Sequence, residues 1–143
     1  MPIDAILVPR GAEYQAVIAG LKWPTPTSTF AVPAGPVALA AHLALLPKAW
    51  QRVLIVGLCG SLAPEYAIGD VVVYEECVQE SAVLQCDPEL TQALGRAFPT
   101  PPVVRALTTG QVLCSASEKR RLGEQHRAAV VDMEGFAALE VLG

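Results

Sequence analysis

The sequence predicts a three-layer α/β/α sandwich around a mixed, largely parallel sheet. Short apolar runs alternate with segments that carry helix-start signals. Two of those runs, Val53–Gly57 and Val71–Tyr74, are continuously apolar, as strands covered on both faces are. No internal repeat or low-complexity tract interrupts the alternation. At 143 residues the chain fits one domain, 1–143, able to bury most of its unfolded surface in a single core.

The elements follow in order. "DAILVP" is a β-prone run ending at Arg10-Gly11, after which Ala12 to Leu21 can form a helix. The prolines of "KWPTPTSTFAVPAGP" leave room only for a brief edge strand near Thr27 to Val32. Gly35-Pro36 opens a helix through Leu46, with proline in the first turn, where its missing N–H costs little. Asp87-Pro88 starts a helix to about Ala97, ended by "FPTPP". Val103–Thr108 reads as a strand, and Ser115 with Glu118 has capping-box spacing for a helix to about His126. "AAVVD" is a last strand, leading into a helix near Glu134. Residues 5–8, 53–57, 103–108 and 128–132 are expected in one sheet, with Gly60 and Glu134 opening onto a shared cleft. Ligands of such sheets gather beyond the carboxyl ends of the strands.

Composition excludes several functions. With a net charge of −4 and ten scattered basic residues, only Lys119-Arg120-Arg121 being clustered, there is no basic stripe to neutralise a phosphate backbone, so nucleic acid is not expected as a partner. The longest apolar run, Val37 to Leu46, is too short to span a bilayer, and Asp4 interrupts any signal-like start. A soluble cytoplasmic protein with no membrane partner is expected. Four cysteines without a C-x-x-C pair, and only two histidines, give a zinc site little support. No metal and no cofactor are expected. The apolar fraction of 52% suggests that some of the surface is covered in a homo-oligomer.

Gly57, Gly60 and Gly69 lie in or beside a turn where a ligand oxygen could approach main-chain N–H groups, though such glycines also serve tight turns alone. "VGLCGSLAPEYAIGDVVVYEE" resembles the strand, glycine-rich turn and Gly-Asp element of the nucleoside phosphorylase and methylthioadenosine/S-adenosylhomocysteine nucleosidase family. "AAVVDMEGFAAL" is similar to that family's ribose-binding Met-Glu segment, and "AILVPRGAEYQAV" and "AGPVALAAHLALL" to its first strand and first core helix.

The resemblance implies roles. Glu134 would accept hydrogen bonds from the ribose 2′- and 3′-hydroxyls, a charge-assisted pair; taken alone it is a helix-start acid. Met133 would pack on the sugar, or fill the core. Glu13 matches the position that orients or activates the attacking water in the hydrolytic branch. Gly60 and Ser61 would receive the sugar or its nucleophile, Arg10 would face an anion or solvent, and Val112 and Leu113 would line the base pocket or end a strand. Asp70 is given a turn-shaping role. The implied activity is cleavage of the N-glycosidic bond of a purine-type nucleoside, with water or phosphate as co-substrate.

Two departures stand out. Leu58 occupies a position where relatives carry a hydroxyl that contacts phosphate or water, which leans towards water. The family's later strand, with the aspartate that protonates the leaving purine, is not found before Gly143. Weak or lost activity is the expectation that follows, and a degenerate nucleoside-binding or oligomerisation domain is the non-enzyme alternative. A rival enzyme class reads "GLCGS" as a nucleophile elbow, with Cys59 attacking and His42 or His126 as its base.

Overall fold

The computed structural model describes residues 2–21, 28–46, 49–97 and 101–143. Apolar runs become strands and capped segments become helices, in the order β1 (Ala5–Pro9), α1 (Ala12–Gly20), β2 (Thr29–Val32), α2 (Pro36–Ala44), β3 (Val53–Ile55) and β4 (Gly60–Ser61). Then come β5 (Val73–Gln79), β6 (Ala82–Gln85), α3 (Pro88–Ala97), β7 (Val103–Thr108), α4 (Ala116–His126), β8 (Val130–Asp132) and α5 (Gly135–Leu142). The helix starts have the expected chemistry. Asp87 Oδ1 accepts from Leu90 N at 2.8 Å, Ser115 Oγ accepts from Glu118 N at 3.4 Å, and Pro36 follows Gly35, whose φ of 91° is open to glycine. Thr27, with the prolines of 22–27, and residues 98–100 of "FPTPP" lie outside the described residues.

The α/β class is as predicted, but the strands hydrogen-bond as two sheets rather than one. The first has the order β2-β1-β3, and the second β4-β8-β7-β5-β6. In the first, β1 runs parallel to both neighbours. In the second, β7 runs parallel to β5 and β8, while β4 and β6 are antiparallel edge strands. The expected strand at 53–57 is divided for a physical reason. Its ladder with β1 ends once Val56 N donates to Leu7 O at 3.0 Å; the chain then bends through Gly57–Cys59 and re-enters as β4 against β8.

Two further differences concern β5 and β6. The strand expected at Val71–Tyr74 begins at Val73 and continues through Glu75 and Glu76 to Gln79, because the Glu76 carboxylate is tied to Arg105 and, at 2.6 Å, to Gln85 Nε2. β6 was not foreseen: its hairpin turns at Glu80-Ser81 with Glu80 at φ 54°, and neither residue is the Gly or Asn that marks such turns.

Alternation along the second sheet sets the layers. Leu107 and Val131 face a cluster that includes Leu122 of α4, whereas Ala106 and Val130 face one built on Phe136 of α5. Ala137 and Ala138 of α5 also enter the cluster of Ala5, Leu7, Val32, Leu39 and Leu43, which joins the first sheet to α2. Thus α5 packs against both sheets. Fully burying a leucine such as Leu7, Leu39 or Leu43 contributes about 1.5–3 kcal/mol, so the helix that follows Glu134 is firmly seated. Among the described residues, no helix is long and apolar enough to cross a membrane.

Candidate functional site

Four segments meet around Glu134: the start of α1, the Gly35 turn before α2, the bend after β3, and the junction of β8 with α5. Glu134 is 9% exposed. Its Oε1 accepts from Gly35 N at 3.3 Å and its Oε2 from Met133 N at 3.2 Å. Burial pushes its carboxyl above the usual range; the Gly35 N–H opposes this, and the charges of Asp132 and Glu13 add to it. Met133 lies alongside, its methyl 3.9 Å from where a Cβ on Gly35 would stand.

Glu13, in the first turn of α1, reaches the bend from the other side, its Oε2 accepting from Leu58 N at 2.7 Å. Glycine is required at 57 for this approach: a Cβ there would fall 2.6 Å from the same oxygen. Leu58 itself projects outward, 78% exposed.

The other sequence-predicted residues are placed less centrally. Gly60 backs onto β8, a Cβ at that position falling 3.1 Å from Val131 Cγ1, and the Ser61 hydroxyl donates to Ala63 O. Arg10 is exposed, with its backbone N–H donating to Val32 O at 2.8 Å. Val112 is exposed while Leu113 packs against the Leu62–Leu107 cluster, so the two do not form one surface. Asp70 Oδ2 accepts from Ala67 N at 2.8 Å, as a turn-shaping residue does.

Sequence reasoning passed over the residues beneath Glu134. Asp132, 8% exposed, accepts from Thr108 Oγ1 at 2.7 Å and from Gly135 N at 3.1 Å, and Thr108 Oγ1 in turn accepts from Phe136 N at 2.9 Å. Together they satisfy the first N–H groups of α5, which a helix leaves without partners of its own. Burial raises the Asp132 carboxyl, and these donors hold it back. Tyr74 lies nearby, its hydroxyl pushed far up by burial and by the Asp132 charge. The available signal was an acid at the end of an apolar strand, two residues before another acid.

A match to a family model covers residues 20–141 and is described as the phosphorylase superfamily. This chain belongs to the phosphorylase superfamily. Solved structures share its fold: a mutant futalosine hydrolase from Helicobacter pylori matches with a TM-score of 0.78 at 17% identity, over 96% of this chain and 81% of that one. The methylthioadenosine/S-adenosylhomocysteine nucleosidase of Campylobacter jejuni matches with a TM-score of 0.80 at 14% identity, over 98% and 79%. A mutant Helicobacter pylori nucleosidase holding 5′-methylthioadenosine in its active site matches with a TM-score of 0.77 at 18% identity, over 99% and 79%. Among curated proteins none matches.

Within this phosphorylase superfamily chain the elbow chemistry finds little support. Cys59 is exposed, and the groups acting on its thiol are Tyr74 and Asp132 rather than a histidine that could serve as its base. Among the described residues, no group of three or more His, Cys, Asp or Glu side chains could hold a metal ion.

Proposed function

We propose that this phosphorylase superfamily chain cleaves the N-glycosidic bond of a purine-type nucleoside, with water as the attacking partner. One observation carries the reading: β1, β2 and β3 run parallel, so the turns that follow them share one edge of the first sheet, and Glu13 and Glu134 both accept from backbone N–H groups there. Each carboxylate is met by backbone N–H groups of a glycine-bearing turn, Gly35 for one and Leu58 for the other.

The chemistry follows from those positions. Glu134 accepts from the ribose 2′- and 3′-hydroxyls, and these bonds strengthen as positive charge develops on the sugar, so they favour the transition state over the ground state. Glu13 accepts a proton from the attacking water as the C1′–N bond breaks, and the base departs with the bonding pair and takes up a proton from solvent. Leu58 offers no side-chain donor to phosphate, which favours hydrolysis over phosphorolysis. The nucleosidase relative that holds 5′-methylthioadenosine supports an adenine-type substrate.

The test is titration calorimetry with adenosine and methylthioadenosine, beside chromatography for released base. Losing two charge-assisted hydrogen bonds of about 1.5–3 kcal/mol each, Glu134→Ala should bind nucleoside at least a hundredfold more weakly. Unchanged affinity would remove Glu134 from the site. A second reading, nucleoside binding without turnover, is favoured by the outward Leu58; wild-type binding with no base released selects it.

A further inference from the structure

We propose that Cys77 and Cys86 form a peroxide-oxidisable dithiol, a modification site set behind α5 and distinct from the carboxylates of the candidate site. The inference stands apart from the nucleoside reading. Cys77, 1% exposed, lies in β5 opposite Leu84 of β6. Cys86 follows two residues after Leu84 and therefore shares its face, diagonal to Cys77. The ladder reaches it, for Cys86 N donates to Glu75 O at 2.9 Å. Both side chains belong to the cluster of Val104, Ala106 and Phe136.

Both cysteines are free thiols, near enough for each to act on the other's ionisation. The Cys77 thiol draws the Cys86 thiol down against its burial, whereas Cys86 and burial together drive the Cys77 thiol up. Access also differs. Cys86 borders a surface groove of roughly 400 Å³ lined by Glu75, Gln85, Thr91, Gly95 and Val103, whereas Cys77 is enclosed. Cys86 is thus the sulfur a small oxidant meets first, and Cys77 the one placed to resolve it.

The step balances. The Cys86 thiolate attacks one peroxide oxygen, the O–O bond breaks, and the departing hydroxide takes a proton to become water, leaving a sulfenic acid. The Cys77 sulfur then attacks Cys86 sulfur, the S–O bond breaks, and hydroxide leaves with the Cys77 proton as a second water. Two thiols lose two electrons and hydrogen peroxide gains them. Diagonal partners on a regular ladder lie about 7–8 Å apart at Cα, just beyond the roughly 7 Å a disulfide spans. Closure therefore needs a small shift, and Cys86, following the outermost strand of its sheet, is held on one side only.

Oxidation reaches α5 through contact. A Cβ on Gly135 would lie 2.8 Å from Cys77 Sγ and 2.9 Å from Asp132 Oδ2, so the sulfur is pressed against the first residue of the helix. Drawing it towards Cys86 loosens that turn.

The reduced full chain is treated with hydrogen peroxide, its remaining thiols are alkylated in denaturant, and the product is cut with a Glu-specific protease, which separates the two cysteines at Glu80. A Cys77–Cys86 crosslink reversed by dithiothreitol is expected. Cys77→Ala should leave Cys86 as a sulfenic acid captured by a dimedone probe, and Cys86→Ser should leave Cys77 free to alkylate. Full alkylation of both wild-type thiols, sulfinic acid at Cys86 beside an intact Cys77 thiol, or linkage only to Cys59 or Cys114 would overturn the proposal. Amide exchange at Gly135 and Phe136 should quicken in the oxidised wild type and not in peroxide-treated Cys86→Ser. Equal exchange in reduced and oxidised wild type would overturn the coupling to α5.

Discussion

Glu134 couples binding and stability to pH in opposite directions. Its carboxyl is raised above 4.5 by burial, so the folded state holds its proton to higher pH than the unfolded chain does. The unliganded protein therefore loses stability as pH climbs from the ordinary carboxylate value through the raised one, and Asp132, raised from 3.8, acts in the same sense. Nucleoside affinity should rise over that window, because the carboxylate is the form that accepts from hydroxyls. Calorimetry across the window should show this slope in the wild type and a flat profile in Glu134→Gln. A second residue-scale outcome concerns Gly57. The Cβ of Gly57→Ala displaces the far end of Glu13, a flexible side chain, so stability should change by no more than about 1 kcal/mol. Base release should fall much further, since Glu13 would leave the Leu58 N–H; equal losses in stability and rate would count against a catalytic Glu13.

At the scale of elements, the decisive unit is β8 with the first turn of α5. Thr108 and Asp132 accept from N–H groups that begin the helix, and Ala137, Ala138 and Phe136 bury its face against both sheets. Thr108→Val keeps the shape but removes an acceptor for Phe136 N and a donor to Asp132. Leaving buried polar groups unsatisfied costs about 1–3 kcal/mol each, so denaturant unfolding should show at least that loss, with Thr108→Ser restoring most of it. No loss in Thr108→Val would mean that the cap is dispensable. Most elements were legible because their signals are local: Asp87 and Ser115 cap α3 and α4, and Gly35-Pro36 opens α2. β6 was not, since Glu80-Ser81 carries neither Gly nor Asn and the hairpin depends on Glu76 finding Arg105 and Gln85 across neighbouring strands.

For the whole molecule, three large apolar side chains, Leu58, Ile68 and Val71, are exposed between the end of β3 and the start of β5. A homo-oligomer built over that segment is the expected state. Sedimentation should give a mass of two or more chains, and Ile68→Lys should shift it towards one; a wild-type monomer at every concentration would sink the expectation. What the sequence by itself determined was the alternation of strands and helices, their caps and the superfamily, because period, proline and glycine placement and motif order act over a few residues. Only the tertiary structure decided that the strands form two sheets bridged by α5, that Glu13 reaches Leu58 N across the missing Cβ of Gly57, and that Asp132 and Thr108 lie beneath Glu134. Those outcomes depend on which distant groups are left to pair once the core has closed, and a buried carboxylate takes its meaning from partners that adjacent residues do not reveal.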